Sequence, residues 1–203
     1  MVRLWISKSL KNKYKIVVSS RDEEKLKIYE DEGFSSYILN EQNFDYIEEL
    51  LNTDFLFINF PPSKFENYLS FLEKIYSSKN ISNIKKIIFI SSTSIYPNIN
   101  GIFSEISEIN NPSSQIVFEV ENLIKERSDI IFRVSGLVGD NRYFGKRSAN
   151  KEVEFPLTPI NFVHREDVIR ATKFVLENNI SGIFNLCSNE HPRSEERRVG
   201  KEC

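Results

Sequence analysis

Short runs of β-branched and aromatic residues alternate with longer amphipathic stretches along this chain, and this alternation constrains the fold more than any other feature. Because several of the runs are apolar on both faces, helices must cover both sides of the sheet that they form. The pattern therefore predicts an α/β fold with a doubly wound, Rossmann-like parallel sheet. The strand-like runs are residues 15–20, 36–39, 54–59, 86–91, 129–134 and 182–187. The helix-like stretches are residues 21–32, 44–51, 64–78, 113–127 and 165–178.

Length and charge narrow the class of protein. We expect residues 1–192 of the 203 to form one domain, with a partial substrate region near 140–163. Residues 193–203 are charged and aperiodic, so we interpret them as an unrelated tail, either a solvated tail or a foreign translated segment that stems from a sequencing or vector artefact. A net charge of −2 gives no reason to expect nucleic acid as a partner. No apolar run spans a bilayer and no secretory pattern opens the chain, so we expect no membrane partner and a cytoplasmic location.

Four segments carry a resemblance to a known family. They are ISSTSIY at 90–96, RVSGLVGDNR at 133–142, NFVHREDV at 161–168 and FNLC at 184–187. In this order they resemble the extended short-chain dehydrogenase/reductases, or NAD-dependent epimerase/dehydratase family, and within it the branch labelled YeeZ-like. The resemblance implies NAD(P) binding and epimerase, dehydratase or reductase chemistry on a nucleotide-sugar or similar polar small molecule. Family members often dimerise, so it also implies a homodimer.

The predicted cofactor site lies at the carboxyl ends of the strands, where an open parallel sheet binds ligands. Arg21 is placed to clamp a ribose 2′-phosphate, which favours NADP over NAD. The alternative is a solvated first-turn arginine balanced by Asp22 and Glu23. The residues that we predict to line the cofactor are Ser20, Arg21, Asn40, Asn59, Phe60, Pro61, Ser91 and Ser135.

Catalytic candidates are few. Ser92 matches the family's catalytic serine or threonine and Thr93 is the neighbour that could replace it, although both hydroxyls could simply satisfy backbone groups at the strand end. The family's base is a tyrosine with a lysine one helical turn later, whose charge lowers the pKa of the phenol. No tyrosine here has a lysine four residues on, and alignment through Glu119 puts Asn111 and Gln115 in those positions. The standard dehydrogenase mechanism is therefore not supported.

The family's Gly-rich turn, which approaches the pyrophosphate, is missing because the first glycine is Gly33. Residues 9–21 match the end of the family's first helix and its second strand, so we expect the usual first strand to be absent. Residues 2–6 could pair as a makeshift strand, although few residues would remain for a crossover. The family-like sequence also stops at Pro192, and we expect a fragment truncated at both ends.

Weaker candidates complete the set. Arg142 lies in a polar stretch where the resemblance places substrates, and a solvated loop is the alternative. His164 is a second substrate candidate, but we favour a structural role for it, with Asp167 capping or anchoring the next helix. Cys187 and Cys203 have neither disulfide nor metal-ligand spacing, so we predict no metal site.

Three interpretations of function stay open. The first is an incomplete NAD(P)-dependent epimerase/dehydratase-like oxidoreductase. The second is an atypical, non-catalytic NADP-binding sensor or scaffold, which the missing tyrosine–lysine pair favours. The third is an inactive fragment.

Overall fold

Every strand pairing in the computed structural model, which describes residues 2–139 and 159–192, is parallel. Helices alternate with the strands along the chain, so the predicted α/β class with a parallel sheet is confirmed. The strands are β1 (Val17–Ser20), β2 (Ser35–Ile38), β3 (Phe55–Ile58), β4 (Lys86–Ser92), β5 (Ile130–Val134), β6 (Gly136–Val138), β7 (Phe162–His164) and β8 (Gly182–Leu186). The helices are α1 (Val2–Leu10), α2 (Glu23–Asp31), α3 (Ile47–Leu50), α4 (Tyr68–Tyr76), α5 (Gln115–Ile124) and α6 (Arg165–Glu177).

The strands fall into three groups. The largest sheet has the order β3-β4-β5-β8, and β1 pairs with β2 while β6 pairs with β7. Register places Phe55 opposite Lys86 and Ile88 opposite Ile130. In the ranges that the structure describes, no backbone ladder joins β1 to β3, so the sheet is divided at that point.

Helices cover both faces of the large sheet, as the doubly apolar runs predicted. Ile87 and Phe89 of β4 share one buried cluster with Leu72 of α4. Ile88, between them in sequence, lies in a second cluster with Val175 of α6. Alternate residues of a strand point to opposite faces, so this sheet has a helical layer on each side.

Helix α4 shows why these stretches become helices. Its apolar residues at 68, 71, 72, 75 and 76 form one buried face with helical spacing. Asn67 precedes the first turn, and its side-chain oxygen accepts a hydrogen bond from the Ser70 amide at 3.1 Å. This cap satisfies one of the amides that a helix start leaves unpaired.

The first segment of the chain contradicts one expectation. Residues 2–6, considered as a makeshift strand, lie instead in helix α1. Ile6 is buried in a cluster with Val168 and Ile169 of α6, and Leu10, one turn later, packs against the same cluster. Two apolar residues four apart lie on one face of helix α1, and that face meets α6. The partner is about 160 positions away, and the local sequence carries no sign of it.

None of the helices in residues 2–139 and 159–192 combines the length and the apolar character that crossing a membrane would require.

Candidate functional site at the carboxyl ends of the strands

The carboxyl ends of β1, β2 and β3 share one rim, although β1 and β3 belong to different sheets. Arg21, directly after β1, donates from Nη1 to the carbonyl oxygen of Lys64 at 2.6 Å, in the segment that follows β3. Glu41, after β2, accepts from the amides of Glu66 and Asn67 at 3.1 and 2.7 Å. The rim therefore brings Arg21 and the ends of three strands together, as the all-parallel prediction required.

The side-chain oxygens of Ser20 and Asn40 accept hydrogen bonds from backbone amides in the turns that follow β1 and β2. Ser20 Oγ, in a residue that is 1% exposed, accepts from the Asp22 amide at 3.2 Å. Asn40 Oδ1 accepts from the amides of Gln42 and Asn43 at 3.0 and 2.9 Å. Both residues shape the backbone at the predicted cofactor edge, and Asn40 keeps an amide group directed at the Arg21 carbonyl oxygen at 3.4 Å.

Arg21 carries a positive charge whose side chain is held in place on this part of the rim. Its guanidinium carbon lies 5.0 Å from the centre of the Phe65 ring, a cation–π distance, which holds the side chain across the end of β1. Asp22, the proposed balancing carboxylate, is paired with Lys25, and the hydrogen bond from Lys25 lowers the pKa of Asp22. The carboxylate of Asp22 is thus hydrogen-bonded to Lys25, and the nearby charge of Arg21 also contributes to lowering its pKa.

Of the predicted cofactor residues that follow β3, one is buried in the core and two lie at the rim. Phe60 is buried, its ring meets Phe71 edge-on at 5.1 Å, and its carbonyl oxygen accepts from the Tyr68 hydroxyl at 2.8 Å. Pro61 is exposed and precedes a 3₁₀ turn, and Asn59 is half-buried. Of these predicted cofactor residues, Phe60 is held in the core, while Asn59 and Pro61 lie where a ligand on the rim would pass.

The hydroxyls after β4 are bonded within the protein. Ser91 is buried, and its Oγ donates to the Glu121 carboxylate. Ser92 Oγ accepts from the amide of Ser94 at 3.1 Å and from its hydroxyl at 3.0 Å, at the start of the 3₁₀ turn that Thr93 opens. This geometry matches the interpretation in which the Ser92 hydroxyl satisfies backbone groups where the strand ends.

A buried ion pair, which sequence reasoning did not single out, lies beside these hydroxyls. Arg133 of β5 and Glu121 of α5 have side chains that are 5% exposed each, with Nη2 and Oε2 2.8 Å apart. Burial by itself would lower the pKa of the Arg133 guanidinium, but hydrogen bonds to Glu121 and Tyr96 outweigh it and the pKa is raised. Both charges are therefore kept in the interior, where an unpaired charge would cost several kcal/mol.

The ion pair extends into a network that joins β5, α5 and β8 through the segments that hold Tyr96 and Glu105. Arg133 Nη1 donates to the Tyr96 hydroxyl at 2.8 Å, and this hydroxyl donates to Asn185 Oδ1 of β8 at 2.8 Å. Glu105 Oε1 accepts from the amide of Asn185 at 2.7 Å. A signal for the network exists in the sequence: Arg133 interrupts an apolar strand, and Glu121 interrupts the apolar face of α5.

The positions that would hold the family's base carry amides on the surface. Gln115, the first residue of α5, is exposed and donates from Nε2 to Glu119 Oε1 at 2.9 Å. Asn111 is exposed and has a left-handed backbone with φ of 55°. An amide does not accept a proton near neutral pH, so these positions provide no general base.

The remaining candidates lie near β5, β7 and β8. The Ser135 amide and hydroxyl both donate to the Leu186 carbonyl oxygen, at 3.1 and 3.0 Å. His164 Nδ1 accepts from the Glu166 amide at 3.3 Å and caps α6, which agrees with the favoured structural role. The cap is His164 itself, while Asp167 pairs with Arg170. Predicted substrate residue Arg142 lies outside the described residues, as does the tail at 193–203.

The chain is related in sequence to a curated protein. No family model matches the chain. Protein YeeZ of Escherichia coli K12 is 31% identical over 175 residues, which are 79% of this chain and 64% of YeeZ. The chain therefore spans less than two thirds of the length of this curated relative. The match confirms the YeeZ-like resemblance read from the four sequence segments.

Solved structures give the same fold. UDP-N-acetylglucosamine 4-epimerase from Methanobrevibacter ruminantium, in complex with UDP-N-acetylmuramic acid, aligns with a TM-score of 0.76 and 17% identity, over 97% of this chain and 76% of its own. UDP-glucuronic acid 4-epimerase from Bacillus cereus, in complex with NAD, aligns with a TM-score of 0.74 and 18% identity, over 100% and 82%. At these identities the likeness concerns the fold alone.

Proposed function

This chain is YeeZ-like in sequence and has the fold of the extended short-chain dehydrogenase/reductases, the NAD-dependent epimerase/dehydratase family, and on that premise we propose that it binds a nicotinamide dinucleotide on its rim. The adenosine half of the cofactor would lie across the ends of β1, β2 and β3, where Arg21, Asn40, Asn59 and Pro61 stand. No G-x-x-G-x-x-G turn occurs in the sequence, so the proposal assigns these residues to the adenosine end only.

The observation that carries the proposal is the orientation of Arg21. Its guanidinium is fixed by the Lys64 carbonyl oxygen and the Phe65 ring, and the adjacent Asp22 is engaged by Lys25. A planar guanidinium with remaining N–H donors binds a phosphate with charge-assisted hydrogen bonds. We propose that the phosphate is the ribose 2′-phosphate, which makes NADP the preferred cofactor.

Titration of the complete chain with NADPH and with NADH, followed by nicotinamide fluorescence, tests this proposal. We expect tighter binding of NADPH. Arg21→Ala should weaken NADPH binding roughly ten- to hundredfold, because a hydrogen bond to a charged group contributes about 1.5–3 kcal/mol. The affinity for NADH should change less, since NADH has no 2′-phosphate.

Arg127→Ala is the matched control. Arg127 is an exposed arginine that precedes β5, so it lies at the amino ends of the parallel strands and away from the cofactor rim. It should leave both affinities unchanged. An equal loss for NADPH and NADH in Arg21→Ala would contradict the 2′-phosphate assignment. Absence of binding by either dinucleotide would contradict the cofactor proposal as a whole.

Two roles for the bound dinucleotide follow from different observations. The likeness to 4-epimerases supports turnover of a nucleotide-sugar or similar polar molecule, with Ser92 or Thr93 as the hydroxyl that contacts substrate. The amides at Asn111 and Gln115, together with the engaged Ser92 hydroxyl, favour the non-catalytic sensor or scaffold. We propose the non-catalytic role for this chain. Conversion of UDP-N-acetylglucosamine or UDP-glucuronic acid by the complete chain would overturn it.

A cytoplasmic location, a homodimer and a single NAD(P)-binding domain over residues 1–192 belong to the same proposal. Sedimentation of the complete chain with and without NADPH tests the homodimer.

A further inference from the structure

A surface loop over residues 97–103 follows β4 and the 3₁₀ turn at its carboxyl end. The loop contains Asn100 followed by Gly101, and no other asparagine in the 203 residues precedes a glycine. Both residues are exposed. Their apolar neighbours are exposed as well, Ile99 to 68% and Ile102 to 100%, so this part of the loop does not pack on the core.

The loop is held at its ends and not in its middle. The Tyr96 ring stacks on Phe103 with centroids 5.4 Å apart, and the Tyr96 hydroxyl lies 3.1 Å from the carbonyl oxygen of Ser104. Among the residues that the structure describes, no hydrogen bond or ion pair engages Asn100 or Gly101. The Asn100 side chain and the next peptide can therefore change conformation without breaking a contact.

Gly101 leaves its own amide nitrogen unshielded, because it has no side chain. Its φ lies outside the left-handed region, and a Cβ at this position would meet the Phe103 ring at 3.4 Å, an ordinary contact distance. Alanine therefore fits here without strain. Asn98 is exposed in the same loop, but the β-branched Ile99 follows it and crowds the corresponding nitrogen.

We propose that Asn100 is a site of spontaneous deamidation, with the backbone nitrogen of Gly101 as the nucleophile. Asparagine is one of the thermolabile residues of proteins. The Gly101 nitrogen loses its proton and bonds to Cγ of Asn100, while the bond from Cγ to the side-chain nitrogen breaks and ammonia leaves. Water then opens the cyclic imide at either carbonyl carbon and gives aspartate or isoaspartate at residue 100. No group is oxidised or reduced, and water is the co-reactant.

The modification changes the charge and the path of the loop. Each product has a carboxylate in place of the amide, so the net charge of −2 becomes one unit more negative. Isoaspartate also places the side-chain methylene of residue 100 in the main chain. The contacts of Tyr96 with Phe103 and Ser104 lie outside the altered dipeptide, so we expect the modified chain to stay folded with an unchanged urea midpoint.

Incubation of the complete, folded chain in mildly alkaline buffer, followed by peptide mapping, tests the proposal. We expect isoaspartate and aspartate to accumulate at residue 100, and labelling by an isoaspartyl methyltransferase to rise in parallel. The conversion should be slower in mildly acidic buffer, because the attacking nitrogen must lose its proton. Asn98, exposed in the same loop, should stay unchanged and is the internal control.

Two variants separate the role of the glycine from that of the loop. Gly101→Ala should slow the conversion of Asn100 severalfold at an unchanged urea midpoint, since the added methyl group shields the nitrogen without strain. Ile99→Gly puts a glycine after Asn98 and should make Asn98 reactive as well.

Four results would overturn the proposal. If Asn100 were converted in the urea-unfolded chain and not in the folded chain, the folded loop would prevent the attack. Equal conversion of Asn98 and Asn100 in the parent chain, or a rate that Gly101→Ala leaves unchanged, would remove the role of Gly101. A lowered urea midpoint after conversion would show that the loop does not accommodate the change. The incubations contain no nucleotide, so their outcome is independent of the cofactor proposal.

Discussion

Arg133 donates a hydrogen bond from Nη1 to the hydroxyl of Tyr96 at 2.8 Å, in the protein interior. On its other side the same guanidinium is paired with Glu121 at 2.8 Å. The bond ties β5 to the turn after β4, and through Tyr96 to Asn185 of β8. The ends of β4, β5 and β8 are thus positioned by a polar network as well as by apolar packing.

Removing one charge of the buried pair should be costly. In Arg133→Met the carboxylate of Glu121 is left buried without its cation, and we expect the free energy of unfolding to fall by about 3–5 kcal/mol. The double variant Arg133→Met, Glu121→Leu removes both charges and should recover most of this loss. Urea denaturation measures both. Arg170→Met, which breaks an exposed pair with Asp167, is the control and should cost less than about 1 kcal/mol. A double variant as unstable as the single one would contradict the argument.

Stability should decline in alkaline solution because two tyrosines are buried. Burial raises the pKa of both Tyr68 and Tyr76, so the unfolded chain loses these protons at a lower pH than the folded chain. Their contribution is fully present below the ordinary tyrosine pKa of about 10 and is lost as pH rises above it. The free energy of unfolding should then fall by about 1.4 kcal/mol per pH unit for each tyrosine.

Urea denaturation between pH 9 and about pH 11.5 checks this decline. Tyr76→Phe should reduce the slope above pH 10 by half, since one of the two protons no longer differs between the states. Tyr46→Phe, at an exposed tyrosine, should leave the slope unchanged. A slope unaffected by Tyr76→Phe would show that other groups control the alkaline transition.

His164 should act on stability and not on ligand binding. Its Nδ1 caps the first turn of α6, so His164→Ala should cost about 0.5–2 kcal/mol, whereas His164→Asn, which restores a capping oxygen, should cost less. Urea denaturation gives both values, and NADPH titration should give the affinity of the parent chain for both variants. Weaker NADPH binding at unchanged stability would instead favour a ligand contact.

Ser92→Ala separates the two interpretations of this hydroxyl. The Ser92 oxygen accepts from the Ser94 amide, so the variant should lose about 1 kcal/mol of stability by urea denaturation while NADPH binds as before. Ser113→Ala, at an exposed serine nearby, should change stability by less than about 0.5 kcal/mol. A loss of nucleotide affinity confined to Ser92→Ala would indicate that the hydroxyl reaches the ligand.

The local sequence pattern was sufficient to predict those strands and helices whose buried residues recur with the period of the element. The run at 54–59 contains β3 and the stretch at 165–178 contains α6, because apolar residues at spacings of one and of three to four reflect the faces that a strand or helix must bury. The helix-like stretch at 21–32 ends directly before Gly33, and in the structure Gly33 follows α2 with φ of +80°. Such a conformation is open to glycine at no steric cost, which makes the stop readable in the sequence.

Contacts between distant segments were decided only in three dimensions. The sequence could not assign residues 2–6 to a helix, because Ile6 has its partners in α6, and their apolar faces meet only after folding. The sequence could not predict the ion pair between Glu121 and Arg133, or the hydrogen bond from the Ser91 hydroxyl to Glu121. The direction of each of these side chains depends on the register between the strands and on the position of helix α5 against the sheet. The sequence by itself determined the class of fold and the order of the strand ends. The tertiary structure decided which of those polar ends stabilise the interior, and within the described residues it left β1 paired with β2 apart from the four-stranded sheet.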